Sequence, residues 1–184
     1  FSNNKSSSCT SCPAGWSNSD IGSPECPACP AGRYSLQHAL VCSDCPLGTY
    51  ETQNTSSSCD ACPIGRYAAT SAPRTVLEDC DVCPAGRYMH ETGAARCIKC
   101  PIDTFIIDNA QDADKHDNVK DCIDCLEGQN SGRGAQICSI CLAGTFTFFN
   151  ETSNVSRCIE CAAGMFQPES GSRSCIHCPN GYYQ

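Results

Sequence analysis

All twenty cysteines of this 184-residue chain fall in Cys-x-x-Cys pairs, and the pairs recur from one end to the other. They are Cys9/Cys12, Cys26/Cys29, Cys42/Cys45, Cys59/Cys62, Cys80/Cys83, Cys97/Cys100, Cys122/Cys125, Cys138/Cys141, Cys158/Cys161 and Cys175/Cys178. Regular recurrence makes residues 1–184 a tandem array of about nine to ten repeats, 16–25 residues each, read as a window of a longer protein. Only 28 residues are Leu, Ile, Val or Phe, and the net charge is -8. A chain so poor in core-forming residues is normally disordered. Its cysteine content is that of a disulfide scaffold, so cross-links are expected to stand in for a hydrophobic core.

The unit is Cys-Pro-x-Gly-x-(Tyr/Phe), a polar loop, then Cys-x-x-Cys. Pro follows the second cysteine at Pro13, Pro30, Pro46, Pro63, Pro84, Pro101 and Pro179. The glycine column is broken only by Asp103. Rings follow at Tyr34, Tyr50, Tyr67, Tyr88, Phe105, Phe146, Phe166 and Tyr183. Trp16 stands one place early, and Asn130 replaces the ring in the seventh copy. Pro pre-sets a turn and Gly permits positive φ. The ring is expected to be the local core, one aromatic over a disulfide in each copy. Second cysteines are 16 or 17 residues apart in six of nine steps, and 21, 25 and 20 in the others. The extra residues lie in loops 68–79, 106–121 and 147–157. No helical periodicity is sustained, and Pro and Gly recur too often for long helices. The expected fold class is small disulfide-rich repeats: an elongated rod of short β-hairpins and irregular loops, with little or no helix.

Three chemistries compete for the cysteines. Pairs separated by 12 or 13 residues approach zinc-ribbon spacing. A redox-active pair would need a helix and active-site context that ten copies do not supply. Structural disulfides fit best, and they require an oxidising compartment. Four Asn-x-Ser/Thr sequons, at Asn4, Asn54, Asn150 and Asn154, agree with the secretory pathway and an extracellular or cell-surface location. The expected pairing joins the second cysteine of each pair to the first of the next. This gives Cys12–Cys26, Cys29–Cys42, Cys45–Cys59, Cys62–Cys80, Cys83–Cys97, Cys100–Cys122, Cys125–Cys138, Cys141–Cys158 and Cys161–Cys175, with Cys9 and Cys178 bonded outside the segment. The alternative is an interleaved ladder, such as Cys9–Cys26 with Cys12–Cys29. Closing a loop of about 15 residues stabilises by roughly 3 kcal/mol in the chain-entropy model.

The motif resembles the cysteine-rich repeats of ephrin-receptor type, and the related modules of tumour necrosis factor receptors. Cys42-Ser-Asp-Cys-Pro-Leu-Gly-Thr-Tyr50 and Cys80-Asp-Val-Cys-Pro-Ala-Gly-Arg-Tyr88 carry the likeness. It implies a disulfide-linked elongated rod. Similar arrays occur in large surface proteins of algae and protists. Copies six to nine drift, with Asp103 at the turn and Leu126, Leu142 and Ala162 in place of Pro.

Catalysis is not expected. His38, His90, His116 and His177 lie in different repeats and read as solvated loop residues. Asp108, Asp112, Asp114, Asp117 and Asp121 form an acidic loop without EF-hand spacing. No cofactor or metal is expected, the acidic balance disfavours nucleic acid, and no segment is apolar enough to insert directly in a membrane. The expected role is a non-catalytic extracellular structural repeat protein of a fibre, stalk, filament or surface coat. The alternative is the ligand-binding ectodomain of a cell-surface receptor. Partners would be other protein chains, copies of itself among them, and N-linked glycans. Phe146, Phe148 and Phe149 form the candidate interface patch.

Overall fold

The computed structural model describes residues 8–70, 73–108, 110–150, 152–153 and 155–183. Among these residues there is no α-helix. Nine disulfides link each second cysteine to the first cysteine of the next pair, from Cys12–Cys26 to Cys161–Cys175. Each closes one loop, and these loops are the nine repeats, numbered here in chain order. Cys9 and Cys178 are free.

Two compact units divide the chain. The first comprises Phe1–Cys83 and Met89–Cys97, the second Pro84–Tyr88 and Ile98–Gln184. In the first unit, antiparallel hairpins pair Arg33–Tyr34 with Ser43–Asp44, Thr49–Tyr50 with Asp60–Ala61, and Arg66–Tyr67 with Asp81–Val82. Trp16 and Ala28 form a single bridge in the equivalent place. In the second unit, Arg87–Tyr88 pairs with Ile98–Lys99, Thr104–Phe105 with Ile123–Asp124, and Gln129–Asn130 with Ser139–Ile140. Met165–Phe166 pairs likewise with Ile176–His177. One hairpin is longer, Thr145–Asn150 against Val155–Glu160.

The return strand of every short hairpin is the x-x of a Cys-x-x-Cys pair. That placement explains the sulfur connectivity. In extended chain, residues three apart face opposite ways. Cys42 therefore turns back to Cys29, while Cys45 turns forward to Cys59.

The turn before each ring is closed by a hydrogen bond from the residue after the glycine to the residue after the cysteine, as in Thr49 N–H to the Pro46 carbonyl at 3.1 Å. Proline thus occupies the first turn position, where its fixed φ is not required. The same bond forms from Gln129 to Leu126, Thr145 to Leu142 and Met165 to Ala162. This is why the copies that lack proline keep the turn. Asp103 takes the left-handed conformation of the missing glycine, at φ 63, as a short polar side chain can.

Three short 3₁₀ turns, Leu77–Asp79, Ala113–Lys115 and Val119–Asp121, occur inside the two longer insertions. Among the described residues, nine of the twelve buried hydrophobic residues are cysteines. Clusters form where Tyr50 packs on Cys62, Ala68 and Cys80, where Tyr67 packs on Cys83, Met89 and Cys97, and where Tyr88 packs on Cys100, Ile106 and Cys122. In each cluster the ring lies over the disulfide of the following repeat. This refines the expectation of one ring over a disulfide per copy: the ring is a joint between copies.

Candidate functional site: the joints between repeats

Successive repeats are joined mainly by main chain. The turn glycine N–H donates to the carbonyl that follows the next repeat's ring position: Gly15 to Ser35, Gly32 to Glu51, Gly48 to Ala68, Gly65 to Met89 and Gly86 to Ile106. Asp103 to Ser131 and Gly144 to Gln167 repeat the pattern. The glycine carbonyl in turn accepts from the second cysteine of the next pair, from Cys29 on Gly15 through Cys178 on Gly164. A residue with positive φ in the next loop donates to the second cysteine's carbonyl. These bonds run from His38 to Cys12, Thr55 to Cys29, Gly93 to Cys62, Gly134 to Cys100 and Gly171 to Cys141.

Repeats two apart also touch. A Cβ added to Gly48 would stand 2.0 Å from the carbonyl oxygen of Gly93, so that position needs glycine for space as well as for its φ of +78. Because these contacts use groups that every residue has, the joint tolerates different side chains.

Where an insertion removes the usual loop, a buried side chain makes the joint. Arg74, 2% exposed, donates to four carbonyls. Nε reaches Thr49 at 2.5 Å, and Nη2 reaches Cys45 at 2.8 Å and Pro46 at 2.7 Å. Nη1 donates to the Thr70 carbonyl. The Cys45 carbonyl is the group that a left-handed residue satisfies in five other joints. His116 acts similarly in the second insertion. It is 0% exposed, with Nδ1 2.7 Å from the Arg87 carbonyl and Nε2 3.1 Å from Asp108 Oδ2. A carbonyl only accepts, so Nδ1 carries a proton. On the other side Nε2 faces the Asp108 carboxylate, so each ring nitrogen meets an oxygen. Reading His116 as a solvated loop residue is therefore corrected. Burial pushes Asp108 upward, but the hydrogen bonds from His116 and from the Asp112 backbone outweigh this and hold it below its ordinary value.

The carbonyls met by Arg74 Nε and His116 Nδ1 lie four residues past a second cysteine. Ser35 Oγ donates to the equivalent carbonyl of Trp16 at 3.0 Å, and Ser131 Oγ to that of Thr104 at 2.9 Å. Sequence reasoning missed this role. A Ser just after the ring position was its one visible trace.

The acidic loop is occupied by its own structure. Asp112 caps Ala113–Lys115 and lies 3.5 Å from Lys115 Nζ, while Asp121 accepts from Asn118 N–H at 2.8 Å. Burial, then the neighbouring Asp121 and Asp114, raise Asp117 above its ordinary value. Among the described residues no group of His, Cys, Asp and Glu is arranged to hold a metal ion, and no helix is long and apolar enough to cross a membrane.

Asn54 and Asn150 are exposed. Asn4 and Asn154 lie outside the described residues. The aromatic patch is divided by strand alternation: Phe146 and Phe148 share one face of the long hairpin with Arg157 and Ile159, while Phe149 belongs to the other with Ser156.

Residues 32–76 and 147–184 match the family described as tyrosine-protein kinase ephrin type A/B receptor-like. These segments are similar to ephrin-receptor-like cysteine-rich repeats, which are a non-catalytic extracellular domain type. No curated protein matches the chain.

Proposed function

We propose that this array of ephrin-receptor-like cysteine-rich repeats is a structural element of an extracellular fibre, stalk, filament or surface coat. The observation that carries this reading is the joint itself. Copies meet through a repeated set of main-chain hydrogen bonds, with a ring or a polar side chain on the next disulfide in several of them, so copies can be added without a new interface for each. The cross-linked loops substitute for a core that 28 Leu, Ile, Val and Phe residues could not build. Exposed apolar side chains support other protein chains, copies of this one among them, as partners. Leu36, Leu40 and Val41 stand out from one loop.

The test is the assembly state of the purified, oxidised protein, by electron microscopy and sedimentation. Filaments or laterally packed chains support the structural reading. The family match supports a second one, a receptor-like ectodomain with a ligand patch on one or two repeats. A monodisperse monomer that binds a soluble protein at micromolar concentration would favour that reading instead.

A further inference from the structure

We propose that Asn150 carries an N-linked glycan whose first sugar lies on the exposed ring of Phe148. The extracellular reading above is the premise. Phe148 is 45% exposed, and nothing described in this protein covers it. Phe148 and Asn150 are two apart in one strand, which puts both side chains on the same face, about 7 Å apart along the chain. Together with Ser153, Val155, Arg157 and Ile159 they line one open cavity. Its chemistry suits a pyranose: Phe148, Val155 and Ile159 offer apolar surface to the sugar's C–H face, and Arg157 and Ser153 offer donors to its hydroxyls.

Asn150 is held for this role. Its Oδ1 accepts from Thr152 N–H at 3.0 Å and from Ser153 N–H at 3.1 Å. The carbonyl side of the amide is thereby fixed to the turn, and Nδ2 is free to react. Asn150 and Thr152 are both exposed, as the transferase requires. The donor would be a lipid-linked oligosaccharide pyrophosphate. The Nδ2–C1 bond forms, the C1–O bond to the pyrophosphate breaks, the lipid pyrophosphate leaves, and Nδ2 loses one proton to solvent. A tethered sugar beside the ring would convert an exposed apolar patch into a covered one.

The test uses the full chain secreted from a eukaryotic cell, trimmed enzymatically to single N-acetylglucosamine residues. Peptide mapping should find Asn150 modified, and Thr152→Ala should abolish that modification. In proton NMR, resonances lost with Thr152→Ala should lie upfield of their ordinary positions, because the sugar sits over the ring. Phe148→Leu should return them to ordinary positions while Asn150 stays modified. The wild-type shift decides the matter even if that variant folds poorly. An unmodified Asn150 beside a modified Asn54 would overturn the proposal, as would unshifted sugar resonances. Carbohydrate missing from every sequon, together with free thiols, would overturn the extracellular reading as well.

Discussion

Asn130 donates its side-chain amide to Cys158 Sγ, 3.4 Å away, at the place in the seventh repeat where other repeats carry a ring. Cys158 belongs to the disulfide of the eighth repeat. Ser17 holds the ring position of the first repeat and lies 3.2 Å from Cys42 Sγ, in the disulfide of the second. A bonded sulfur carries no hydrogen, so both polar side chains are the donors. Ring or donor, this position addresses the next repeat's disulfide in the first, third, fourth, fifth and seventh repeats.

The first prediction follows from that. Asn130→Ala should lose a modest hydrogen bond, about 1 kcal/mol. Tyr67→Ala should lose more, on the order of 2–3 kcal/mol, because a half-buried ring over the Cys83–Cys97 sulfurs is removed. Chemical denaturation of the oxidised protein measures both. Equal losses would contradict the assignment of the ring as the stronger joint.

Arg74 offers a sharper case. Arg74→Met removes the donor from the buried Cys45 carbonyl and the part-buried Thr49 carbonyl, while the Pro46 carbonyl keeps the Thr49 N–H and Oγ1–H. At about 1–3 kcal/mol for each of these two orphaned groups, the loss should reach roughly 2 kcal/mol or more. Arg74→Lys should recover only part, since an ammonium cannot reproduce the planar fork. Protease nicking near residues 68–79 gives an independent readout.

The two-repeat contact is tested by a pair of glycines. Gly48 and Gly144 share the turn conformation, at φ +78 and +82, but only Gly48 has a neighbour within 4 Å of an added Cβ. Gly144→Ala should cost about 1–2 kcal/mol of backbone strain. Gly48→Ala should cost clearly more, because the Gly93 carbonyl must also move. Similar costs would show that the contact is slack.

Acid should loosen the second insertion first. The Asp108 carboxyl is held below its ordinary value, so its contribution is complete above the usual carboxylate pKa of about 3.9 and is lost as pH falls through the lowered value. Hydrogen exchange in residues 106–121 should rise over that acid range. In Asp108→Asn the acid-dependent part of that rise should largely disappear.

Much of the architecture could be read from residues alone. Pro and Gly at most turns, with no helical period, pointed to short hairpins and loops, and the Cys-x-x-Cys rhythm marked the repeats. The order of contact was harder to see. Which disulfide Tyr67 covers depends on how one loop stacks on the next, and spacing within a repeat is silent about that. Arg74 and His116 were illegible for a related reason. Each sits in an insertion where it looks like a solvated polar residue, and each reaches a main-chain carbonyl of a preceding repeat, which leaves no mark in a sequence. The loss of Pro at Leu126, Leu142 and Ala162 looked like drift because its place in the turn was unknown.

The central claim is that oxidised sulfur, closing consecutive loops, replaces the missing core. Peptide mapping of the unreduced protein tests it most directly. The account expects Cys26 joined to Cys12, Cys42 to Cys29, and the same consecutive rule through Cys175 joined to Cys161. Cys26 joined to Cys9, or free thiols holding zinc in the native protein, would contradict it.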